Sequence, residues 1–156
     1  GPIEDFLTAK PQTHLQARAH MLLAAVMGGI AFQKGLGVNH SCAHALSTVV
    51  DMHHGLANGI MLPYTMEFNL PAAQDRFRVM SEIVHETGDR SGAAFVGWTR
   101  RLQNEIGVPA TLKEAGVNSS HLDALVEWAV KDACHPYNCR PVRREDFVAI
   151  FKQALG

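Results

Sequence analysis

Four histidines lie within fifteen positions of a segment that is otherwise small and apolar. Residues 37–63 read GVNHSCAHALSTVVDMHHGLANGIMLP, and the histidines are His40, His44, His53 and His54. Neutral imidazoles are costly to bury unless their ring nitrogens find partners. A metal ion is the partner that satisfies several neutral imidazoles at once. The segment therefore predicts a histidine-rich metal site.

Spacing by itself leaves the choice of ligands open. His40 and His44 are four residues apart, so a helix would place them on one face as a chelating pair, although this spacing is common in ordinary helices. His53 and His54 would diverge by about 100° on a helix, so at most one can join the same ion. Asp51 could orient a ligand imidazole or cap the next helical piece. The H-E-x-x-H metalloprotease pattern is not present, since no glutamate lies between the first two histidines.

The segments that contain and flank these histidines are predicted to be helices. Apolar residues recur at steps of three and four from Leu15 to Ile30, and Gly35 and Gly37 interrupt that pattern. The histidine segment predicts two helical pieces with a joint near Asp51–Gly55. Further helices are predicted after Asn69, with Phe77, Met80 and Val84 inward, from Ser120, and over Phe147–Ala154. Another is predicted around Phe95–Ile106, which carries Phe95, Trp98, Leu102 and Ile106. We expect one all-α helical bundle domain, residues 1–156.

Composition narrows the classes of function. The chain has 156 residues, 47% of them hydrophobic, and a formal net charge of −1 without a basic run, so neither nucleic-acid binding nor disorder is expected. Its three cysteines show no disulfide framework, which favours a reducing, cytoplasmic setting. We expect no membrane span. The opening Gly1-Pro2 resembles the scar of tag cleavage, which suggests a cut piece of a longer protein.

Residues 37–69 resemble the long signature of the iron-dependent (group III) alcohol dehydrogenase family. That signature runs Gly-x-x-His-x-x-Ala-His-x-x-Gly, then Pro-His-Gly after five residues, then a helix with Leu-Pro. The positions in register are Gly37, His40, Ala43, His44, His54, Gly55, Leu62 and Pro63. Ser47 replaces the usual Gly, and His53 replaces the usual Pro. The flanks GGIAFQKGLG, FRVMSEIVHETG and RLQNEIGVPATLKEAGV also look similar to the family.

The resemblance implies a role for each matching histidine. In the family a divalent metal, iron or often zinc, is held by one Asp and three His, and His40 and His54 match two of those ligands. His44 matches an imidazole that is not a ligand but lies near the nicotinamide, so it is the catalytic and cofactor-contacting candidate. His53 is then a packing residue. Weaker candidates for the substrate pocket are Phe32, Cys134 and Asn138.

The resemblance also implies what a complete enzyme would need. The family's remaining ligands lie in an Asp-x-x-x-His helix, and its NAD or NADP is held mainly by an N-terminal nucleotide-binding domain with a Gly-Gly-Gly-Ser turn. Neither pattern occurs in the sequence. We therefore interpret the chain as the later part of the C-terminal helical domain. It should bind metal weakly and be inactive in isolation, and homodimerisation is possible.

Two readings from other classes compete with this one. The chain could be a freestanding helical metal-binding or interaction module without redox activity, in which case neither NAD(P) nor an alcohol or aldehyde would be its ligand. It could also be a carboxylate-bridged di-iron bundle, which requires repeated Glu-x-x-His pairs. Only the single pair Glu82 and His85 has that spacing.

Overall fold

The computed structural model describes residues 11–84 and 92–156, with side chains from residue 15 onward. Within these ranges the chain is helical and contains no strand, as the sequence predicts. His85 of the Glu82/His85 pair lies outside the described residues. Seven α-helices are described: α1 (Pro11–Phe32), α2 (Val38–Val50), α3 (His54–Asn69), α4 (Gln74–Ile83), α5 (Ala93–Glu105), α6 (Leu122–Lys131) and α7 (Arg144–Leu155). Three short 3₁₀ turns join them, at Leu70–Ala72, Ser119–His121 and His135–Tyr137.

Contacts along the chain define two compact units, residues 1–35 and residues 36–156. The first contains α1, which ends before Gly35, a glycine with a φ of 92°. The helix is apolar, and its large side chains are exposed: Leu15, Leu22, Leu23, Val26, Met27, Ile30 and Phe32. An 18-residue window from Leu15 to Phe32 is long and apolar enough to cross a membrane, although core helices of soluble proteins pass the same test. The expectation of no membrane span therefore stays a prediction, as does the single domain.

A sharp corner separates α2 from α3, at the predicted joint. Asp51 adopts a left-handed conformation with φ 52° and donates its N–H to Leu46 O, which ends α2. The next helix, α3, begins at His54, four positions after the end of α2. The corner is confirmed, and it turns the start of α3 back toward α2.

The core of the second unit forms where α2 packs on α3 and α6, and where α7 packs on α6. Fully buried side chains meet there from all four helices, among them Leu46, Ile60, Leu125, Phe147 and Phe151. Burial of each large apolar side chain stabilises the fold by roughly 1.5–3 kcal/mol. The predicted inward face of the last helix is confirmed, and α2 is held rigidly along its buried side.

The predicted helix around Phe95–Ile106 is confirmed as α5, and polar residues make up part of its buried face. Ile106 is 45% exposed, whereas Val96, Thr99 and Gln103 are buried. The polar pair is tolerated because its groups are satisfied: the Thr99 hydroxyl donates to Phe95 O, and the Gln103 amide donates to Gly59 O of α3. The Gln103 hydrogen bond ties this helix to α3, a contact that apolar periodicity does not reveal.

The start of α6 differs in detail from the prediction. Asn118, and not Ser120, caps the turn: its side-chain oxygen accepts from the Ser120 N–H, while His121 Nδ1 accepts from the Asn118 N–H. This reciprocal arrangement is a capping box. The helix itself begins at Leu122 and buries the predicted Leu125, Val126 and Ala129.

Candidate metal centre

Three of the four predicted imidazoles meet at the corner between α2 and α3. The ring centroids of His40 and His54 are 5.5 Å apart, those of His44 and His54 are 5.2 Å apart, and those of His40 and His44 are 6.0 Å apart. His40 and His44 lie on successive turns of α2, and His54 is the first residue of α3. We call these three residues the histidine cluster.

The histidine cluster suits a divalent ion. Two imidazoles bound to one tetrahedral ion with metal–nitrogen bonds of about 2.0–2.1 Å have ring centroids about 5 Å apart. The 5.5 Å between His40 and His54 is close to that value. Burial lowers the pKa of His40, and the neighbouring His54 and His44 lower it further, against the opposing effect of Asp132. A lowered pKa favours the neutral imidazole, which is the form that binds metal.

His53 lies outside this group and packs on the corner. It precedes α3, its carbonyl accepts from the Ala57 N–H, and its ring lies over Gly55. A Cβ at Gly55 would come 3.2 Å from His53 Cε1. The glycine after the predicted ligand His54 therefore makes room for the ring of His53.

Asp132 is the residue of the site that the sequence reading missed. Its Oδ2 lies 2.8 Å from His44 Nδ1, and its Oδ1 accepts from the Ser41 hydroxyl at 2.7 Å and from the Cys134 N–H at 2.8 Å. Its side chain is 17% exposed. The carboxylate that orients an imidazole is thus Asp132, at the end of α6, and not Asp51, which is exposed and ends α2. We call Asp132 with these three donors the carboxylate anchor.

The carboxylate anchor fixes the tautomer of neutral His44. Burial opposes the charged form of Asp132, but the hydrogen bonds from Ser41, His44 and Cys134 outweigh it and lower its pKa to about 2. A carboxylate that is charged at neutral pH can only accept hydrogen bonds. Neutral His44 must therefore carry its proton on Nδ1, which leaves Nε2 with a free lone pair.

His54 is held differently, by neutral amides. The Asn58 amide nitrogen lies 3.0 Å from His54 Nε2, and Asn58 Oδ1 accepts from Asn39 Nδ2 at 2.8 Å. The Thr65 hydroxyl in turn donates to Asn39 Oδ1 at 2.9 Å. This amide chain links α2 and α3 across the site, and His54 itself is exposed.

Cys134 lies beside the carboxylate anchor. Its Sγ is 4.0 Å from His44 Nδ1, and the thiol is only partly exposed. Burial raises the thiol pKa to about 11, and the hydrogen bond and negative charge of Asp132 add to that shift. The structure therefore brings this predicted pocket residue next to the histidine cluster.

Asn138 serves as a clamp between helices. Its side-chain oxygen accepts from the Val38 N–H and from Asn69 Nδ2, while its amide nitrogen donates to Asn69 Oδ1 and Arg140 O. A Cβ at Gly37 would lie 2.8 Å from Asn138 Oδ1, so a larger residue there would displace the Asn138 side chain. The predicted pocket role of Asn138 stays a prediction, because these four bonds describe a structural one.

Phe32 is the last residue of α1 in the first unit and is 58% exposed. Its predicted place in the substrate pocket stays a prediction.

A family model described as "Fe-containing alcohol dehydrogenase family, C-terminal" matches residues 6–155. The 1,3-propanediol dehydrogenase of Klebsiella pneumoniae is 35% identical over 150 residues, which is 92% of this chain and 38% of that protein. The NAD-dependent methanol dehydrogenase of Bacillus methanolicus is 32% identical over 148 residues, 90% of this chain and 39% of that protein.

Solved structures give the same result. A crystal structure of a 1,3-propanediol oxidoreductase superposes with a TM-score of 0.86 at 34% identity, over 90% of this chain and 38% of that one. The alcohol dehydrogenase from Oenococcus oeni superposes with a TM-score of 0.85 at 33% identity, over 92% and 39% respectively. The chain therefore spans about two fifths of the length of these relatives.

Proposed function

This chain belongs to the Fe-containing alcohol dehydrogenase family, and we propose that it supplies the metal-binding and proton-transfer part of a dehydrogenase that interconverts an alcohol with an aldehyde or ketone. The observation that carries the proposal is the meeting of His40, His44 and His54 at one corner, with His44 held by a charged carboxylate. Relatives named as NAD-dependent and NADPH-dependent dehydrogenases support NAD or NADP as the hydride carrier.

In this proposal, His40 and His54 would hold a divalent ion, Fe²⁺ or Zn²⁺. When bound, the ion would supply Lewis acidity toward the substrate oxygen, and the nicotinamide would accept the hydride. The corner at Asp51 presents His54 to α2, and the buried side of α2 keeps His40 in place.

His44 accepts the proton of the alcohol in this proposal. Its Nε2 lone pair is available because Asp132 holds the proton of the neutral ring on Nδ1. Once Nε2 is protonated, the Asp132 carboxylate stabilises the imidazolium across the 2.8 Å hydrogen bond. The side chain of His44 is 41% exposed, so the proton can leave to solvent. Oxidation then releases one proton and one hydride per alcohol.

The remaining candidates have supporting roles in the same proposal. Asp132 is a positioning residue, because it acts through His44. Cys134 lines the site beside His44, and Asn138 fixes the start of α2 by accepting the Val38 N–H. The nucleotide-binding domain of the family is the proposed partner that brings NAD(P) to His44.

The test uses the full product of the gene that carries this chain. After chelation and reloading with Fe²⁺, the protein should oxidise short alcohols with NAD⁺ or NADP⁺, and activity should follow bound metal. Residues 1–156 alone, assayed in parallel, should show neither dinucleotide binding nor turnover. Metal-independent turnover, or metal binding without any redox activity in the full product, would contradict the proposal; the second outcome would favour a metal-binding module.

A further inference from the structure

A second group of metal-ligating atoms lies on the Asp132 side of His44. His44 Nδ1, an Asp132 carboxylate oxygen and Cys134 Sγ lie within 4.8 Å of one another. None of the three atoms belongs to the proposed ligands His40 and His54. We propose that these three side chains form a separate site for a thiophilic divalent cation such as Zn²⁺ or Cd²⁺.

The spacing of the three atoms is close to that of a bound ion. In a tetrahedral zinc site, two such ligand atoms lie about 3.4–3.6 Å apart, as follows from bond lengths of about 2.0–2.3 Å. His44 Nδ1 and Asp132 Oδ2 are 2.8 Å apart, and Nδ1 and Cys134 Sγ are 4.0 Å apart. Each of these two distances would therefore change by roughly half an ångström on binding, and the Asp132 oxygen and Cys134 Sγ already lie within 4.8 Å of each other.

The carboxylate anchor leaves Oδ2, the oxygen that faces His44, free of the Ser41 and Cys134 donors. The hydrogen bonds from Ser41 and the Cys134 N–H both go to Asp132 Oδ1. Oδ2 faces His44, so a cation can insert on this side while both donors to Oδ1 stay in place. Such bonds to the other oxygen orient a ligating carboxylate.

The charges of the Asp132 and Cys134 side chains also favour a thiophilic divalent cation. The Asp132 carboxylate disfavours ionisation of the neighbouring thiol, and a divalent cation reverses this effect because it attracts both negative groups. A thiolate with an imidazole and a carboxylate is a donor set for zinc. The histidine cluster offers imidazole nitrogens, which suit iron equally well, and zinc exceeds Fe²⁺ in intrinsic affinity for a given site.

Binding at this second site has a defined proton balance. The Cys134 thiol loses its proton to solvent, and the proton of His44 moves from Nδ1 to Nε2 as the metal takes Nδ1. Nε2 then carries an N–H and no longer accepts a proton. The cation therefore inhibits alcohol oxidation, a consequence that rests on the proposed function of His44.

The test begins with residues 1–156 alone and does not require enzymatic activity. Titration with Co²⁺ or Cd²⁺ should produce a thiolate-to-metal charge-transfer absorption that saturates at one ion per chain. Cys134→Ser should abolish the absorption and lower affinity by at least roughly 100-fold. The matched control is Cys139→Ser, which removes an exposed cysteine five residues away and should change neither. Circular dichroism would verify that each variant is folded.

Two further variants separate this site from the histidine cluster. Asp132→Asn should lower affinity while it keeps the absorption, whereas the double variant His40→Ala/His54→Ala should keep both. Absorption that survives Cys134→Ser, or that disappears in the double variant, would overturn the separate site and leave the proposed function standing. In the full gene product, Zn²⁺ added after Fe²⁺ loading should inhibit the unsubstituted protein and spare Cys134→Ser. Equal inhibition of the two would overturn the inhibitory consequence.

Discussion

The two ends of the histidine cluster are built differently. At one end His44 is bonded to a charged carboxylate that is 17% exposed and holds three donors. At the other end His54 is exposed, and its Nε2 meets the neutral amide of Asn58. Charge-assisted hydrogen bonds are roughly twice as strong as neutral ones. The difference indicates that the His44 end has a fixed tautomer, whereas the His54 end can reorient to accept an ion.

The largest effect is expected from removal of either proposed ligand. In the full gene product, His40→Ala and His54→Ala should each lose bound metal and turnover together, by more than the roughly 10–100-fold expected for loss of an outer partner. Metal content by atomic absorption and alcohol oxidation are the two measurements. His53→Ala is the control, since that ring packs on Gly55 and should leave metal content unchanged. Stoichiometric metal in either ligand variant would break the assignment.

Removal of His44 should separate chemistry from metal binding. His44→Ala should keep its metal and lose turnover by roughly 10²–10⁴-fold, the usual contribution of a general base. If the variant loses its ion, His44 is a ligand, and the two ends of the histidine cluster are alike.

A smaller effect is expected from the carboxylate anchor. Asp132→Asn preserves shape but removes the charge that holds the His44 tautomer, so turnover should fall by roughly 10–100-fold with metal content unchanged. The pH profile of turnover should also shift, because the imidazolium loses its counter-charge. A variant with an unchanged rate and profile would show that Asp132 only stabilises the fold.

The same carboxylate predicts a pH dependence of stability in metal-free protein. The pKa of Asp132 is lowered in the fold to about 2 from an ordinary value of 3.8. Its contribution, on the order of 2 kcal/mol, is therefore present at neutral pH and is lost as the pH falls from about 4 to about 2. Denaturant unfolding at several pH values measures this loss, and Asp132→Asn should lack it. An identical pH slope in the two proteins would contradict the low pKa.

The smallest effect is expected at the amide chain. Asn58→Ala removes a neutral hydrogen bond, on the order of 1 kcal/mol, from His54 and should weaken metal affinity only several-fold. Asn104→Ala, an exposed asparagine on α5, is the matched control. A loss of metal affinity beyond roughly 100-fold in Asn58→Ala would contradict the weaker support assigned to His54.

Most of the fold was predictable from local pattern. The helices, the corner near Asp51 and the inward faces of α6 and α7 follow from apolar periodicity and from breaks at Gly35 and Gly37. The burial of Thr99 and Gln103 on α5 could not be predicted in this way, because it depends on hydrogen bonds that apolar periodicity does not reveal.

The site was predictable only where its residues share one segment. His40, His44 and His54 lie within fifteen positions, but Asp132 is 88 residues from His44 and only folding brings it there. One local signal did exist. Asp132 directly follows the last residue of α6, where an acidic side chain opposes the helix dipole, so its presence required another reason.

The central claim is that His40 and His54 share one cation while His44 stays with Asp132. Anomalous diffraction from crystals of Cys134→Ser loaded with Co²⁺ tests it directly, because this variant removes the thiolate of the second site. We predict one ion within about 2.1 Å of a ring nitrogen of both His40 and His54, with the His44–Asp132 hydrogen bond intact. An ion bound by His44, or by only one of the other two rings, would contradict the account.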